Sequence, residues 1–351
     1  MLSLSQFMDT MANNPLLALS MALIGATIFV NGSTDAANAI AEAVGTRSIG
    51  FRSAVLMAMV CDFMGLVASV AVSTAVADTI SGMVDFGGDS HAALVALAAA
   101  QVAIVAWGGA AWAFGIPTSE SHALIAGVSG AAIALQGGVS GINGAEWIKV
   151  IWGLLLSVSG GFALGYGACK VIRHLFAEAD YRAANKVCAR AQVLGAGFCS
   201  FMHGAQDGQK FLSIAMMAIA LSEGKAAGAQ GVGGYPLWLM VACATILAIG
   251  VGVGGKKIVK TVGTGVVQME KYQGAAASIS AGLSLLLATF GGLPVSTTHT
   301  KSAAIMGAGS SKTLRSVNWG VARDMVMTWI LTFPGCGLIG FLLAKLFLYL
   351  F

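Results

Sequence analysis

Two carboxylates and two clusters of hydroxyl side chains interrupt apolar stretches of this sequence. Asp35 ends the run Asn31-Gly32-Ser33-Thr34-Asp35, and Asp207 ends the run His203-Gly204-Ala205-Gln206-Asp207. After nearly equal intervals, each aspartate is followed by a proline and a polar cluster, which are Pro117-Thr118-Ser119-Glu120-Ser121-His122 and Pro294-Val295-Ser296-Thr297-Thr298-His299. A carboxylate inside a membrane-spanning stretch predicts a functional site. Its repetition at equivalent places predicts one site shared by the two halves of a duplicated unit.

The two hydroxyl clusters have the chemistry of an anion site. A tetrahedral oxyanion that loses its hydration needs hydrogen-bond donors. Hydroxyl groups and free N–H groups at a helix N-terminus supply them, and proline favours such a terminus. The alternative is that the hydroxyls only cap helices or bond to carbonyls one turn earlier, but the repetition of Pro-x-Ser-x-Ser/Thr-His favours the anion site. The candidate ligands are Thr118, Ser119, Ser121, Ser296, Thr297 and Thr298.

The two aspartates are candidate ligands for a small cation. Each lies shortly after a glycine, Gly32 or Gly204, that permits local unwinding. A carboxylate among unwound backbone carbonyls makes an oxygen-only site that suits Na+, or a proton-accepting site where solvent reaches it. The alternative is a structural aspartate that satisfies a neighbouring helix end. The candidate cation ligands are Asp35, Asn38, Thr34, Asp207, Gln206 and Gln209, with Na+ at Asp35 and Asp207.

Five further polar residues lie within or beside these motifs. Glu120, His122 and His299 are candidates for a proton or selectivity role, although the histidines can equally be packed and hydrogen-bonded. Lys210 and Lys301 either offset the charge of an anion or extend to the membrane surface. The sequence leaves both alternatives open for the lysines.

The composition is that of a polytopic membrane protein. Of the 351 residues, 57% are hydrophobic and 10% are charged, and the mean hydropathy is +0.83, whereas soluble domains average about 25% charged residues. The dispersed net charge of +4 argues against a nucleic-acid partner. The six cysteines have no metal-ligand spacing, and no Walker A motif or nucleophile elbow occurs. We therefore expect no enzyme, no ATP-driven pump and no cofactor besides a coupling ion.

Hydropathy predicts about ten membrane segments, five in each half. Their approximate ranges are 16–45, 53–77, 92–114, 117–136, 147–170, 193–222, 236–254, 273–291, 295–310 and 324–350. The positive-inside rule places the loops rich in Lys and Arg in the cytoplasm, and an odd number of crossings per half inverts the second half. We expect an all-α protein with inverted repeats over 1–170 and 193–351 and a cytoplasmic linker over 171–192. Discontinuous helices and re-entrant hairpin tips are expected to meet near the membrane centre.

The aspartate motifs and the two Pro-x-Ser-x-Ser/Thr-His clusters together resemble the inorganic phosphate transporter (PiT) family over essentially the whole chain. The run 294–299 is similar to the family's second hydroxyl motif, and the runs 32–38 and 204–209 follow its Gly-Ala-Asn-Asp signatures in outline. The resemblance implies a homodimer. It also implies phosphate at Ser119, Ser121, Ser296, Thr297 and Thr298, and cations near Asp35, Asn38, Asp207 and Gln209.

The sequence departs from the family pattern at three positions. The asparagine that usually precedes the aspartate is Thr34 in one half and Gln206 in the other, which leaves the identity of the coupling ion open. Glu120 stands where small residues or asparagine are common. If its carboxylate faces the anion, it can accept the P–OH hydrogen of hydrogen phosphate, whereas it would repel fully deprotonated sulfate.

These observations predict a multi-pass symporter of inorganic phosphate in the cell membrane, with Na+ favoured over H+ as the coupling ion and alternating access around a midplane site. Importing a dianion against an inside-negative potential costs about 2.3 kcal/mol per charge per 100 mV, so at least two cations must accompany it. Transport of sulfate or another tetrahedral oxyanion, and an anion channel, are the alternatives. The expected partners are phosphate, the cotransported cation, membrane lipid and a second copy of the chain.

Overall fold

The computed structural model describes residues 3–116, 118–225, 234–254 and 256–351. Within these ranges the chain forms fourteen α-helices and no β-strand. The helices are α1 (Leu4–Asn13), α2 (Pro15–Thr34), α3 (Ala36–Gly45), α4 (Phe51–Val72), α5 (Ala75–Gly82), α6 (Ser90–Phe114), α7 (Glu120–Gln136), α8 (Gly144–Leu175), α9 (Tyr181–Ser222), α10 (Leu237–Val253), α11 (Lys256–Lys260), α12 (Lys271–Phe290), α13 (Thr297–Ser310) and α14 (Trp319–Leu350).

Six helical spans in the described residues are long and apolar enough to cross a membrane. They are α2 with α3, α4, α6, α8, α12 and α14. A seventh is counted if α10 and residues Ile258–Gly265, which meet at a bend of 69°, form one span. The other predicted segments are also helical, but α7 and α13 have only 17 and 14 residues. Since a straight crossing needs about 20 residues, these two helices are too short to span a bilayer alone.

The sequence of α4 shows how one helix face is directed inward. Ala58 and Asp62 are buried, whereas Leu56 and Val60 on another face are exposed. Apolar side chains on the outer surface suit contact with lipid, and small residues on the inner face let helices approach closely. Gly204 of α9 packs directly on the backbone of Asp62, where a Cβ atom would overlap the carbonyl group. This close approach brings the polar middle of α9 against α4.

The helices pack in the same pattern in both parts of the chain. The short helix α7 lies between α6 and α14, and the short helix α13 lies between α12 and α8. The contact of α4 with α9 corresponds to that of α10 with α2, and the contact of α12 with α9 corresponds to that of α6 with α2. Each short helix is therefore enclosed by one helix from its own half and the last helix of the other half. This arrangement holds the N-termini of α7 and α13 inside the protein.

The predicted linker over 171–192 is largely helical. It contains the end of α8 at Leu175, the start of α9 at Tyr181 and the short connection between them. Most of its side chains are exposed, including Arg182. The last turns of α8 and the first turns of α9, which flank the connection, are rich in charged residues.

Candidate transport site

The N-termini of α7 and α13 have the same cap geometry. The hydroxyl oxygen of Ser119 accepts a hydrogen bond from the backbone N–H of His122 at 3.3 Å, and that of Ser296 accepts one from His299 at 3.1 Å. Capping satisfies N–H groups that have no partner within the helix, and it leaves each hydroxyl hydrogen able to donate. Pro117, which the sequence places at the start of the first cluster, lies outside the described residues.

Asp35 joins these two helix starts at the point where α2 ends and α3 begins. Its side chain is buried, and Oδ2 accepts a hydrogen bond from the backbone N–H of Glu120 at 3.1 Å. Oδ1 accepts one from the hydroxyl of Thr298 at 2.9 Å. Asn38, one turn further along, donates its Nδ2–H to the same Thr298 oxygen at 2.9 Å. The first predicted cation ligand thus contacts both predicted anion clusters.

Asp207 contacts the same two clusters from α9 and is fully buried. Its Oδ1 accepts a hydrogen bond from the hydroxyl of Ser121 at 3.1 Å, and its Oδ2 accepts one from Thr297 at 3.3 Å. Asn31 of α2 donates its Nδ2–H to Oδ2 at 3.1 Å. The ammonium of Lys210 lies 2.7 Å from Oδ1. The structure therefore brings both aspartates, both hydroxyl clusters and one lysine into a single buried group.

The backbone is interrupted at Asp35 but continuous at Asp207. α2 and α3 meet at Asp35, whereas α9 runs without a break through Gly204 and Asp207. The local unwinding expected after Gly204 does not occur. Gly204 instead allows close packing on α4, and the carboxylate of Asp207 is satisfied by side chains, so that the helix keeps its own backbone hydrogen bonds.

Two of the predicted threonines point away from this group. The hydroxyl of Thr118 lies 3.1 Å from that of Thr332 in α14 and accepts a hydrogen bond from the indole N–H of Trp107 in α6 at 3.3 Å. Thr34 donates to the carbonyl of Val30, one turn earlier in its own helix, at 2.8 Å. Thr118 thus ties α7 to its two packing partners, and Thr34 has the helix-bonding role that is common for threonine.

The two glutamines that flank Asp207 are also buried, but they differ in their contacts. Gln206 donates its Nε2–H to the backbone carbonyl of Leu293, just before the second cluster, at 3.1 Å. Neither polar atom of the Gln209 side chain has a hydrogen-bond partner among the described residues. Gln206 therefore ties α9 to the backbone just before the second cluster, and both polar atoms of Gln209 are free to contact a ligand.

Glu120 is fully buried and its carboxylate faces α6. Its two oxygens fill the space beside Gly108, where a Cβ atom would lie 2.5 to 2.7 Å from the carboxylate atoms. Neither oxygen has a hydrogen-bond partner within the described part of the chain. A buried carboxyl group without a partner is costly, so Glu120 at this position lowers the stability of the fold.

His122 and His299 pack against each other directly behind the two helix starts. Their ring centroids are 4.5 Å apart in an edge-to-face arrangement, and His299 also stacks on Trp329 at 3.9 Å. His122 lies 4.7 Å from the ring of Phe333. Both imidazoles are buried, and none of their ring nitrogens has a hydrogen-bond partner in the described residues. The histidine pair thus holds α7, α13 and α14 together through ring contacts.

Comparison with known proteins identifies the family. A family model described as the phosphate transporter family matches residues 31–340, which include both aspartates and both hydroxyl clusters. The chain belongs to the phosphate transporter family. The resemblance seen in the sequence is confirmed, and so is the multi-pass membrane character of this family member.

Individual relatives cover nearly the whole chain. A probable low-affinity inorganic phosphate transporter of Bacillus subtilis (strain 168) is 35% identical over 306 residues, which cover 87% of this chain and 89% of the relative. One of Rhizobium meliloti (strain 1021), named in the same words, is 33% identical and covers 95% and 96%. The solved structure of a protein named the sodium-dependent phosphate transporter superposes with a TM-score of 0.84 and 24% identity, covering 95% of this chain and 99% of that chain. This last likeness shows the fold.

Sequence reasoning missed two buried acid–base pairs in this family member. Asp62 of α4 lies 2.7 Å from Nδ1 of His203, whose Nε2 lies 3.2 Å from Asp207 Oδ2 without hydrogen-bond geometry. The signal was available, because Asp62 interrupts the apolar segment 53–77 just as Asp35 interrupts the first one.

The second missed pair joins Glu42 of α3 to Lys301 of α13 at 2.5 Å. Ser278 of α12 donates to the same Glu42 oxygen and is itself contacted by Lys301. Lys301 is only 1% exposed and Lys210 is fully buried, so neither lysine extends to the membrane surface. Glu42 also interrupts an apolar run, but nothing in the sequence pairs it with a residue 259 positions away.

Proposed function

We propose that the protein is a secondary symporter that carries inorganic phosphate together with a cation. The observation behind the proposal is that the hydroxyls at the starts of α7 and α13 donate hydrogen bonds to two buried aspartates. The names of the relatives, probable low-affinity inorganic phosphate transporters, support phosphate as the substrate. The name of the protein with the similar fold supports Na+ as the first coupling ion to test.

The shared hydrogen bonds provide a physical route from cation binding to anion binding. In this structure the hydroxyl hydrogen of Thr298 is directed at Asp35 and therefore is not available to an anion. A cation that binds the carboxylate of Asp35 competes for the same oxygen lone pairs. The released hydroxyl can then donate to phosphate. Because each ligand favours the same arrangement of the hydroxyl, the binding of the cation and the binding of phosphate are expected to be mutually favourable.

The proposed phosphate ligands are the hydroxyls closest to the aspartates. Ser119 and Ser296 accept cap hydrogen bonds and can still donate, and Thr298 becomes a donor when a cation engages Asp35. Ser121 and Thr297 lie in the same two clusters, where their hydroxyls donate to Asp207. Thr118 is excluded because its hydroxyl is held between α6 and α14. The proposed set is Ser119, Ser121, Ser296, Thr297 and Thr298.

The surroundings of Asp35 suit a small cation. Among the described residues, the side-chain carbonyl oxygens of Asn31 and Asn38 are buried and have no hydrogen-bond partner. A buried acceptor without a partner costs roughly 1–3 kcal/mol, and both amides are already oriented by bonds from their nitrogen atoms. A cation held by Asp35 and these two oxygens would satisfy both acceptors, whereas a protonated Asp35 has a single O–H donor and can satisfy at most one of them.

The reciprocal packing of α7 with α14 and of α13 with α8 supports two inverted repeats over 1–170 and 193–351. We extend the proposal to alternating access, in which the two repeats rock around the buried group of aspartates and hydroxyls. The short helices α7 and α13 would then be the inner arms of re-entrant hairpins that enter from opposite membrane faces.

Uptake of radiolabelled phosphate into proteoliposomes tests the proposal. The vesicles are given an inward Na+ gradient, an inward proton gradient, or neither, and each arm is repeated with excess unlabelled sulfate. Accumulation above equilibrium that requires a cation gradient and resists sulfate is expected. Equilibration without accumulation would indicate a channel, and block by sulfate would indicate a general oxyanion permease, so either result would overturn the proposal.

A further inference from the structure

We infer that the ammonium group of Lys210 is a built-in cation that takes the place of one of the two transported cations expected at this site. This inference rests on the proposed function and concerns its stoichiometry. It assigns the diffusible coupling ion to Asp35 alone, while Asp207 of the second half is neutralised permanently by the protein itself.

The ammonium of Lys210 lies in a set of oxygen ligands drawn from three parts of the chain. Its Nζ is 2.7 Å from Asp207 Oδ1 in α9, 2.8 Å from the hydroxyl of Ser121 in α7, and 2.6 Å from the backbone carbonyl of Val295 before α13. A carboxylate, a hydroxyl and a backbone carbonyl are the oxygen types that a transported hard cation uses. Lys210 therefore occupies the position that the sequence assigned to Na+.

The three contacts exclude two other roles for Lys210, which are direct binding of the anion and extension to the membrane surface. A lysine ammonium has three N–H donors and no acceptor, and all three are engaged within the protein. No donor remains for phosphate, so Lys210 is not a ligand of the anion in this arrangement. Its complete burial also excludes extension to the membrane surface.

The equivalent position in the first half carries no charge. Asn38 follows Asp35 by three residues, just as Lys210 follows Asp207, and it donates to Thr298 rather than to the aspartate. Among the described residues, no Lys or Arg forms an ion pair with Asp35. His203, which stands where the first half has Asn31, also lies near Asp207 but is hydrogen-bonded to Asp62. The position of Asn38 and Lys210 therefore gives the second half one fixed positive charge that the first half lacks, so Asp207 is neutralised by the protein and Asp35 needs an ion.

One transported cation changes the charge balance of the cycle. A single monovalent cation neutralises the monoanion H2PO4−, whereas the dianion would need two to avoid opposition by the membrane potential. We therefore expect one cation per phosphate, carried with the monoanion.

The number of transported cations is measured at static head in proteoliposomes. The logarithm of the phosphate ratio across the membrane is plotted against that of the cation ratio, and the slope gives the cations per phosphate. We expect a slope of one for the wild type and two for Lys210→Asn, which gives position 210 the residue type of its equivalent, Asn38. Lys225→Asn, a change of an exposed lysine three residues beyond the end of α9, is the matched control and should keep a slope of one.

A slope of two for the wild type, or of one for an active Lys210→Asn variant, would overturn the inference. If the wild type accumulates no phosphate, the proposed function fails, and the inference is then decided by counting bound radioactive Na+ on the purified protein in detergent. One more bound ion in Lys210→Asn than in the wild type supports it, and equal numbers contradict it. If Lys210→Asn does not give a monodisperse protein, the wild-type slope alone decides.

Discussion

Thr298 donates its hydroxyl hydrogen to Asp35 across an Oγ1–Oδ1 distance of 2.9 Å, although the two residues lie 263 positions apart in the chain. The bond joins the aspartate motif of the first half to the hydroxyl cluster of the second half. Asn38 contacts the same hydroxyl from the other side, so the threonine is held between two groups that a cation would engage. A substitution of any of these three residues is expected to alter the binding of both phosphate and the cation.

Asp35→Asn is expected to abolish concentrative phosphate uptake without loss of folding. The amide keeps the size of the side chain but removes the charge that holds a cation. Uptake under a Na+ or proton gradient should fall to the level of empty vesicles, while size-exclusion behaviour stays unchanged. Asp9→Asn, on the exposed face of α1, is the matched control. Normal accumulation by Asp35→Asn would remove Asp35 from the coupling mechanism.

Thr298→Val should weaken phosphate binding by about 10- to 100-fold, because a hydrogen bond to a charged group contributes about 1.5–3 kcal/mol. The valine keeps the shape of threonine and cannot donate. The apparent Kd for phosphate, measured by equilibrium binding at saturating cation, tests this. Thr245→Val in α10, where the hydroxyl only bonds to Val241 of the same helix, serves as the control, and equal affinities of the two variants would contradict the prediction.

Lys301→Met is expected to lower the thermal stability of the protein. It leaves Glu42 as a buried carboxylate without its cation, and breaking such a pair costs about 3–5 kcal/mol. The double change with Glu42→Gln should recover part of the loss in thermal stability measured in detergent. Lys149→Met breaks an exposed pair with Glu146, for which a loss of about 0–1 kcal/mol is expected. A melting temperature equal to that of Lys149→Met would refute this assignment.

Glu120→Gln should make the protein less able to discriminate phosphate from sulfate. Both carboxyl oxygens are buried against Gly108 of α6, at the first residue of α7, so Glu120 acts on the anion through its charge and not through direct contact, over a short distance in a medium of low dielectric constant. Sulfate should compete several-fold better for phosphate uptake in the variant. Glu223→Gln, at the exposed end of α9, is the control. An unchanged sulfate inhibition constant would show that Glu120 does not sense the anion.

Gly204→Ala is expected to lower thermal stability and phosphate uptake together. A Cβ atom at Gly204 would overlap the backbone of Asp62, so α4 and α9 would have to separate and the Asp62–His203 contact would lengthen. Gly167→Ala in α8, where a Cβ atom meets nothing within 4 Å, should be neutral or stabilising, because alanine favours the helix. Similar melting temperatures of both variants would show that α4 and α9 tolerate the change.

Much of this buried group of residues could be identified from local sequence patterns. Asp35 and Asp207 lie in the buried interior, as the repeated motifs indicated. Ser119 and Ser296 are equivalent, as their motifs indicated, and both are helix caps, the role that the sequence offered as the alternative to an anion site. The cap geometry depends only on neighbouring residues, and burial of a carboxylate in an apolar run follows from its surroundings. For these reasons the positions of the motifs could be predicted, whereas the contacts between them could not.

The partners of each polar group could not be predicted in the same way. Thr118 belongs to the repeated cluster, yet its hydroxyl contacts Thr332 and Trp107 because α7 presents that face to α6 and α14. Lys210 lies beside a motif in the sequence, but only the approach of Ser121 and Val295 surrounds it with three acceptors.

The sequence by itself therefore determined the membrane class, the family, and the residue types of the candidate site, because hydropathy, repetition and motif chemistry are local properties of the chain. The tertiary structure alone decided which hydroxyl meets which aspartate, that the second aspartate is paired with Lys210, and that Glu42 meets Lys301. These contacts join residues that are mostly far apart in the chain, and an apolar interior favours them because an unpaired buried charge or donor is costly.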